Sequence, residues 1–368
     1  MKIAVIHPIF HPYVRGGAEV VAESIVSGLK KSQDVFVITL GYEDKMEEIE
    51  GVKVYRIKPK NLFNFLDING KSIFLRLPWH ILDMFNFSQA KKVKRILKKE
   101  KPDLVLTHNL KGMGYLIPSV LRKMKIKNIH TVHDMQLLDP SGLLPRHIIL
   151  TWKYRFFCKQ LFKSPQVVIF PSKYIQEVYG NFGFFLQSEK RVLGNPVRKV
   201  SPTIKQNKDF RFLFLGQVEE YKGILELIDA VKSLGAGLEV VGDGKALSKA
   251  ENKALGADIR FWGRLSQEQL EKEIWPQADI LVNPSLAEES FGMVVIEAFS
   301  HGIPVLVSDK GALPELVNGK TGWVFKKDLK EKLAWILENK EKVLKMREDC
   351  LREAEKYLLE GYLGKLLK

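Results

Sequence analysis

Short runs of Val, Ile and Leu recur along the chain, separated by longer stretches in which apolar residues return every three or four positions. The runs predict strands over residues 2–7, 34–40, 51–57, 103–108, 127–132, 166–171 and 190–194, and a second series over 210–215, 238–241, 259–262, 280–283 and 305–308. Near-continuous apolar strands alternating with amphipathic segments are the signature of parallel sheets covered by helices on both faces, an α/β class. Between the two series, Ser201-Pro-Thr-Ile-Lys-Gln-Asn-Lys-Asp209 has no apolar period and carries a proline, so it reads as a linker. Two doubly wound domains follow, 1–200 and 201–349, with ligands expected outside the carboxyl ends of their strands.

The densest chemistry lies between two of these runs, in Glu289-Ser-Phe-Gly-Met-Val-Val-Ile-Glu297. A helix is predicted from Gly292 to His301, with Glu289 in the loop before it and Glu297 about five residues inside. That separation suits gripping two polyol groups better than sharing one proton. The N–H groups of Phe291, Gly292 and Met293, with Val294 behind them, open the helix without intrahelical partners, and the dipole favours an anion there. Hydroxyls and phosphate together suggest a nucleotide sugar.

The segment from Pro284 to Val305 resembles the Glu-x7-Glu motif and following Gly-x-Pro-Val strand of the retaining glycosyltransferases of family 4, and Gly311, Glu315 and Gly319 to Gly322 continue it. That resemblance implies a GT-B fold of two facing Rossmann-like domains with an interdomain cleft, the last helix, about 350–368, returning to the N-terminal domain. It implies a nucleoside-diphosphate sugar, UDP- or GDP-linked, as donor, and neither a metal nor another cofactor. Glu289 would contact the sugar and Glu297 the ribose. Since such enzymes are thought to react on one face of the sugar, the leaving phosphate would serve as base and no protein nucleophile is nominated.

Other stretches resemble further parts of the family pattern. Gly216-Gln-x-x-x-x-Lys-Gly223 is similar to its phosphate-binding Gly-Arg-x-x-x-x-Lys-Gly, which assigns Lys222 to the leaving diphosphate. Gln217 stands at the arginine position, so Lys222 carries more of the charge or Arg264 or Arg15 compensates. Gly16 and Gly17 open the first helix where the family's Gly-Gly loop faces the pyrophosphate; paired glycines alone would make only a turn. Gly242, in Val-Gly-Asp-Gly, serves either the donor or the turn, and Trp262, before Gly263 and Arg264, either meets the base or is core. His133-Asp134 resembles the family's Thr-x-His-Asp element, which places His133 beside the transferred sugar. Thr107-His-Asn-Leu110 closes a strand on the same expected face, so Asn109, with Asp134, is expected to contact the acceptor. His7, His11, His108 and His130 carry no assigned role.

Composition bounds this reading. At 368 residues the chain can bury two cores, and 45% hydrophobic with 27% charged residues is globular. No apolar run reaches the roughly 18 residues of a membrane span, and Met1-Lys-Ile-Ala-Val-Ile-His-Pro is a strand rather than a signal peptide. Two distant cysteines, Cys158 and Cys350, fit a reducing cytoplasm. The net charge of +15 favours anionic partners. Lys91, Lys92, Lys94, Arg95, Lys98, Lys99 and Lys101 surround Val93, Ile96 and Leu97, just after an aromatic segment holding Phe63, Phe65, Phe74, Trp79, Phe85 and Phe87. This is either a peripheral surface for anionic membrane and a lipid-linked glycan acceptor, or a core helix with a solvated face. No nucleic-acid-binding motif accompanies the charge. Two alternatives to the transferase keep the same donor: a hydrolysing nucleotide-sugar epimerase, and a noncatalytic nucleotide-sugar or membrane-binding module.

Overall fold

A computed structural model describes residues 1–13, 16–142, 149–163, 165–201 and 209–368. Most of the linker, 202–208, and Arg15 lie outside the described residues. The chain forms two compact units, one of Met1–Gly194 with Tyr362–Lys368, the other Asn195–Gly361.

The N-terminal unit holds an eight-stranded sheet of β1 (Lys2–Ile6), β2 (Asp34–Leu40), β3 (Lys45–Ile49), β4 (Val52–Ile57), β5 (Leu104–His108), β6 (Lys127–Thr131), β7 (Val167–Phe170) and β8 (Glu189–Val192), in the order β3-β4-β2-β1-β5-β6-β7-β8. All neighbours are parallel except the β3–β4 hairpin. Its helices are α1 (Gly17–Leu29), α2 (Ile73–Met84), α3 (Phe87–Glu100), α4 (Ile117–Met124), α5 (Ile149–Phe162) and α6 (Lys173–Asn181). The inner strands are largely apolar, as in a parallel sheet covered on both faces, with Ile3 to Ile6 and Val167 to Phe170 buried, whereas the edge strands β3 and β8 are polar.

The C-terminal unit is built on β9 (Arg211–Leu215), β10 (Gly237–Val241), β11 (Ile259–Phe261), β12 (Ile280–Asn283), β13 (Val305–Ser308) and β14 (Gly322–Phe325), in the order β11-β10-β9-β12-β13-β14. Counted within the unit this is 3-2-1-4-5-6, the doubly wound order of a dinucleotide-binding sheet, with its reversal between β9 and β12. The covering helices are α7 (Ile224–Ser233), α8 (Leu247–Ala254), the single turn α9 (Gln267–Gln269), α10 (Met293–Ser300), α11 (Leu313–Leu316), α12 (Leu329–Glu338), α13 (Lys340–Lys345) and α14 (Arg347–Glu355). A last helix, α15 (Leu359–Leu366), runs into the N-terminal unit.

The return is therefore shorter than the expected 350–368. Cys350 and Ala354 are buried in one cluster with Val295, Ile296 and Phe299, which holds α14 in the C-terminal unit, and the first boundary falls at 194/195 rather than 200/201. The strands β3 and β14 add to those read from the sequence. Among the described residues no helix is long and apolar enough to cross a membrane.

Candidate active site

At the reversal point of the C-terminal sheet, the loops leaving β9 and β12 lie side by side. The turn Glu220–Lys222 holds the second loop by its backbone, since Leu286 and Ala287 both donate N–H to the Tyr221 carbonyl, at 2.9 and 3.2 Å. Two side chains 67 residues apart meet there: Lys222 Nζ forms an ion pair with Glu289 Oε1, both partly buried. The Glu289 carbonyl accepts from Ala312 N at 2.9 Å, which fixes the glutamate from the β13 side. Gln217 is exposed, and its Oε1 accepts from the Tyr221 hydroxyl at 3.0 Å. A cation and a carboxylate at a strand reversal can divide one ligand, the first taking phosphate and the second hydroxyl groups.

The helix α10 starts as expected. Gly292 caps it at φ 101°, a left-handed conformation in which a side chain would be strained. The Phe291 ring is buried against Tyr357, so this residue can offer a ligand only its backbone. Met293 and Val294, half-buried, form the first turn, and Glu297 is the fifth helical residue. Desolvation pushes the Glu297 carboxyl up to about 7, and the charge of Glu271 adds to it.

Gly242 is at φ 134°, and a Cβ there would lie 1.7 Å from the Gly216 carbonyl oxygen, so the turn itself requires glycine. The Trp262 ring points inward: its Nε1–H donates to Glu239 Oε2 at 2.6 Å, and Glu239, fully buried, pairs with Arg211 at 2.7 Å. The indole is structural, leaving the strand-end backbone and the exposed Arg264 as what this loop can present.

The N-terminal sheet reverses between β1 and β5, and histidines gather at its strand ends. His108 Nδ1 and His133 Nε2 are 3.0 Å apart with the rings stacked, and His7 meets His108 edge-on. All three are buried, and burial lowers His7 to about 4, His133 to about 3 and His108 well below its ordinary value, so the rings are neutral. His108 was silent in the sequence; its place in Thr107-His-Asn109 at a strand end was the available signal. Asn109 Nδ2 donates to Asp134 Oδ2 at 3.1 Å, and burial raises Asp134. Gly16 differs from expectation. Its N–H is not free for phosphate, because the Glu19 carboxylate accepts it at 2.8 Å as α1 opens at Gly17. Among the described residues no three His, Cys, Asp or Glu side chains converge as metal ligands.

The family model for glycosyltransferase family 4 matches residues 15–198, and that for glycosyl transferases group 1 matches 198–357. The chain belongs to glycosyltransferase family 4. An uncharacterised glycosyltransferase of Methanocaldococcus jannaschii is 29% identical, covering 90% of this chain and 88% of its own. Lipopolysaccharide 1,2-N-acetylglucosaminetransferase of Salmonella typhimurium is 26% identical over 70% of this chain and 68% of its own. Among solved structures, an Anabaena protein in complex with UDP-glucose superimposes with a TM-score of 0.73 at 17% identity, covering 100% of this chain and 98% of its own. The family 4 fold, GT-B with two Rossmann-like α/β domains, is thus that of the structure. Lys222, Glu289 and Glu297 fall in the group 1 match, and Gly16, Asn109, His133 and Asp134 in the family 4 match.

Proposed function

We propose that this glycosyltransferase moves a hexosyl group, with retention, from a nucleoside-diphosphate sugar to a hydroxyl of a glycan or lipid-linked acceptor in polysaccharide synthesis. The observation that carries the reading is the Lys222–Glu289 pair at the reversal of the C-terminal sheet. Lys222 neutralises the diphosphate as the glycosidic bond breaks, helped by the opening N–H groups of α10. Glu289 accepts from sugar hydroxyls and Glu297 from the ribose diol. His133, neutral, hydrogen-bonds the transferred sugar, and Asn109 and Asp134 receive the acceptor. The leaving phosphate takes the proton of the acceptor hydroxyl. With this positive potential supplied by the chain, turnover needs no resident metal or cofactor. The Anabaena protein solved with UDP-glucose supports a nucleotide-sugar donor, and the lipopolysaccharide transferase of Salmonella typhimurium supports a glycan acceptor.

A panel of UDP- and GDP-sugars, scored by acceptor-dependent release of nucleoside diphosphate and by the anomeric configuration of the product, tests this. Glu289→Ala and Lys222→Ala should each lower kcat/KM at least tenfold, since a charge-assisted hydrogen bond contributes roughly 1.5–3 kcal/mol. The double variant should lose less than the product of the two, because each single change strands the partner. Unchanged kcat/KM in folded Glu289→Ala would remove the glutamate from the site. Release without any acceptor would favour hydrolysis, and binding without release a noncatalytic module.

A further inference from the structure

The helix α5 carries two adjoining rows of side chains. Trp152 and Phe156, four positions apart, stack with ring centroids 6.3 Å apart and planes at 23°, and they are 63% and 49% exposed. Arg155 and Lys159, also four apart, form the second row. With Asn181 and Phe182, where α6 ends, these four line a cavity of about 360 Å³. That volume is within the roughly 300–1,000 Å³ of small-molecule sites.

Among the described residues neither cation of this cavity has a carboxylate partner. Arg155 is 8% exposed, its Nε donates to the Thr151 carbonyl at 3.2 Å, and its guanidinium lies 4.6 Å over the Phe182 ring. Lys159 Nζ lies 5.4 Å over the Phe184 ring. Of the three buried arginines described, Arg56 pairs with Glu47 and Arg211 with Glu239, and Arg155 alone pairs with no acid. A buried guanidinium without an anion destabilises the free protein, and contact with a ring offsets only part of that cost.

The cavity is set back from the residues assigned to the acceptor. Asn109, His133 and Asp134 follow the carboxyl ends of β5 and β6. The helix α6 opens at Lys173, just beyond the carboxyl end of β7, and Asn181 closes it after a run of roughly 12 Å. The chemistry of the lining is divided. A flat aromatic face suits the C–H face of a sugar ring, the Asn181 amide suits its hydroxyls, and a guanidinium with an ammonium beside it suits a carboxylate. A neutral sugar would leave both cations unpaired, and a small anion would leave the rings unused. A flat bilayer would meet the exposed rings but not Arg155.

We propose that the cavity between α5 and α6 is a second glycan site, apart from the transfer site, which holds a carboxylate-bearing sugar residue on Trp152 and Phe156 with its carboxylate at Arg155 and Lys159. The inference rests on the reading of the protein as a transferase that handles glycans. It adds a place where an acidic glycan is held while transfer occurs elsewhere.

Calorimetry on the full chain with trigalacturonate, its neutral trimethyl ester and tricarballylate, a tricarboxylate without sugar rings, tests it. Trigalacturonate should bind at least tenfold more tightly than either of the others. Trp152→Ala and Lys159→Gln, both away from the core, should each weaken it severalfold while leaving nucleoside-diphosphate affinity as in the wild type. Arg155→Met should lose at least tenfold in trigalacturonate affinity without a lower melting temperature, because it removes a buried charge that has no protein partner. Asn109→Ala should bind trigalacturonate as the wild type does. Equal binding of trigalacturonate and its ester, cavity variants that bind like the wild type, or loss of binding in Asn109→Ala instead would each overturn the proposal. So would phosphatidylglycerol vesicles that bind through Trp152 while trigalacturonate does not bind, which would make the surface a membrane contact. A protein that releases nucleotide in the presence of acceptor yet does not bind trigalacturonate loses the second site alone, and the transferase reading stands.

Discussion

Glu297 is a carboxyl group held near neutrality inside a helix, and its proton has consequences for both stability and donor binding. Its folded pKa, about 7, lies above the ordinary glutamate value, so between the two the folded state holds more protons than the unfolded chain. The resulting stability is present below about pH 4.5 and is lost as pH rises through 7, at most about 3 kcal/mol. Glu297→Gln, which keeps the uncharged form, should flatten this decline in a thermal-melt series from pH 5 to 8. Donor binding should respond with the opposite sign, since the ionised carboxylate is the better acceptor for a ribose diol. Nucleoside-diphosphate affinity should rise from pH 6 to 8 more steeply in the wild type than in Glu297→Gln, and parallel profiles would detach Glu297 from the ribose. The two glutamates were legible as a pair because the segment around them resembles the family's Glu-x7-Glu motif; their spacing alone would read as a solvated helix face. The Lys222–Glu289 contact was not, because it depends on strand order, which brings residues 67 positions apart to one reversal point.

The helix α3 shows how one amphipathic pattern divides its charges. Val93 and Leu97 are buried, as their spacing implies, and Glu100 turns inward to Lys2, Lys53 and Tyr55. Lys92 is held by Asp44 at 2.6 Å, whereas Lys91, Lys94, Arg95, Lys98 and Lys99 stay exposed. The aromatic segment before it divides too: Trp79 is buried against stacked Phe63 and Phe65, while Phe74 and Phe87 face solvent. If the exposed set meets an anionic bilayer, each lysine adds roughly 1 kcal/mol. Changing Lys91, Lys94 and Lys98 to Glu should then cut sedimentation with anionic vesicles at least tenfold at low salt and leave neutral vesicles unaffected. Equal behaviour on both would make this a solvated face. The unread β3 belongs to the same scale. Lys45-Met-Glu-Glu-Ile49 has no buried position, since an edge strand pairs through its backbone and needs no apolar face. Length and polarity made it look like loop. In β14, the short Gly322-Trp-Val-Phe325, the glycine-rich approach hid a strand that the sheet completes.

Across the whole molecule, buried titratable groups set how each domain responds to acid. The N-terminal domain buries His7, His108, His130 and His133, all lowered by desolvation, His7 to about 4, His130 and His133 to about 3, and His108 well below its usual value. Between those values and about 6.5 the unfolded chain binds the extra protons, so stability rises with pH there and falls on acidification. Asp83, raised to about 7 by burial, and Asp134, raised in the same way, act in the opposite sense, but they are two groups against four. In the C-terminal domain Glu297, raised to about 7, and His301, lowered to about 4, oppose one another within a single helix and its end. Acidification from pH 7 to 5 should therefore loosen the N-terminal domain more than the C-terminal one. Hydrogen exchange read by mass spectrometry, corrected for intrinsic rates, should show protection falling first in β1, β5 and β6, within or just beyond which these histidines lie. His130→Gln, able to keep a bond to the Thr107 hydroxyl now 3.0 Å from His130 Nδ1, should make that loss smaller. Equal loss of protection in both domains would mean that the histidines are not what limits acid stability.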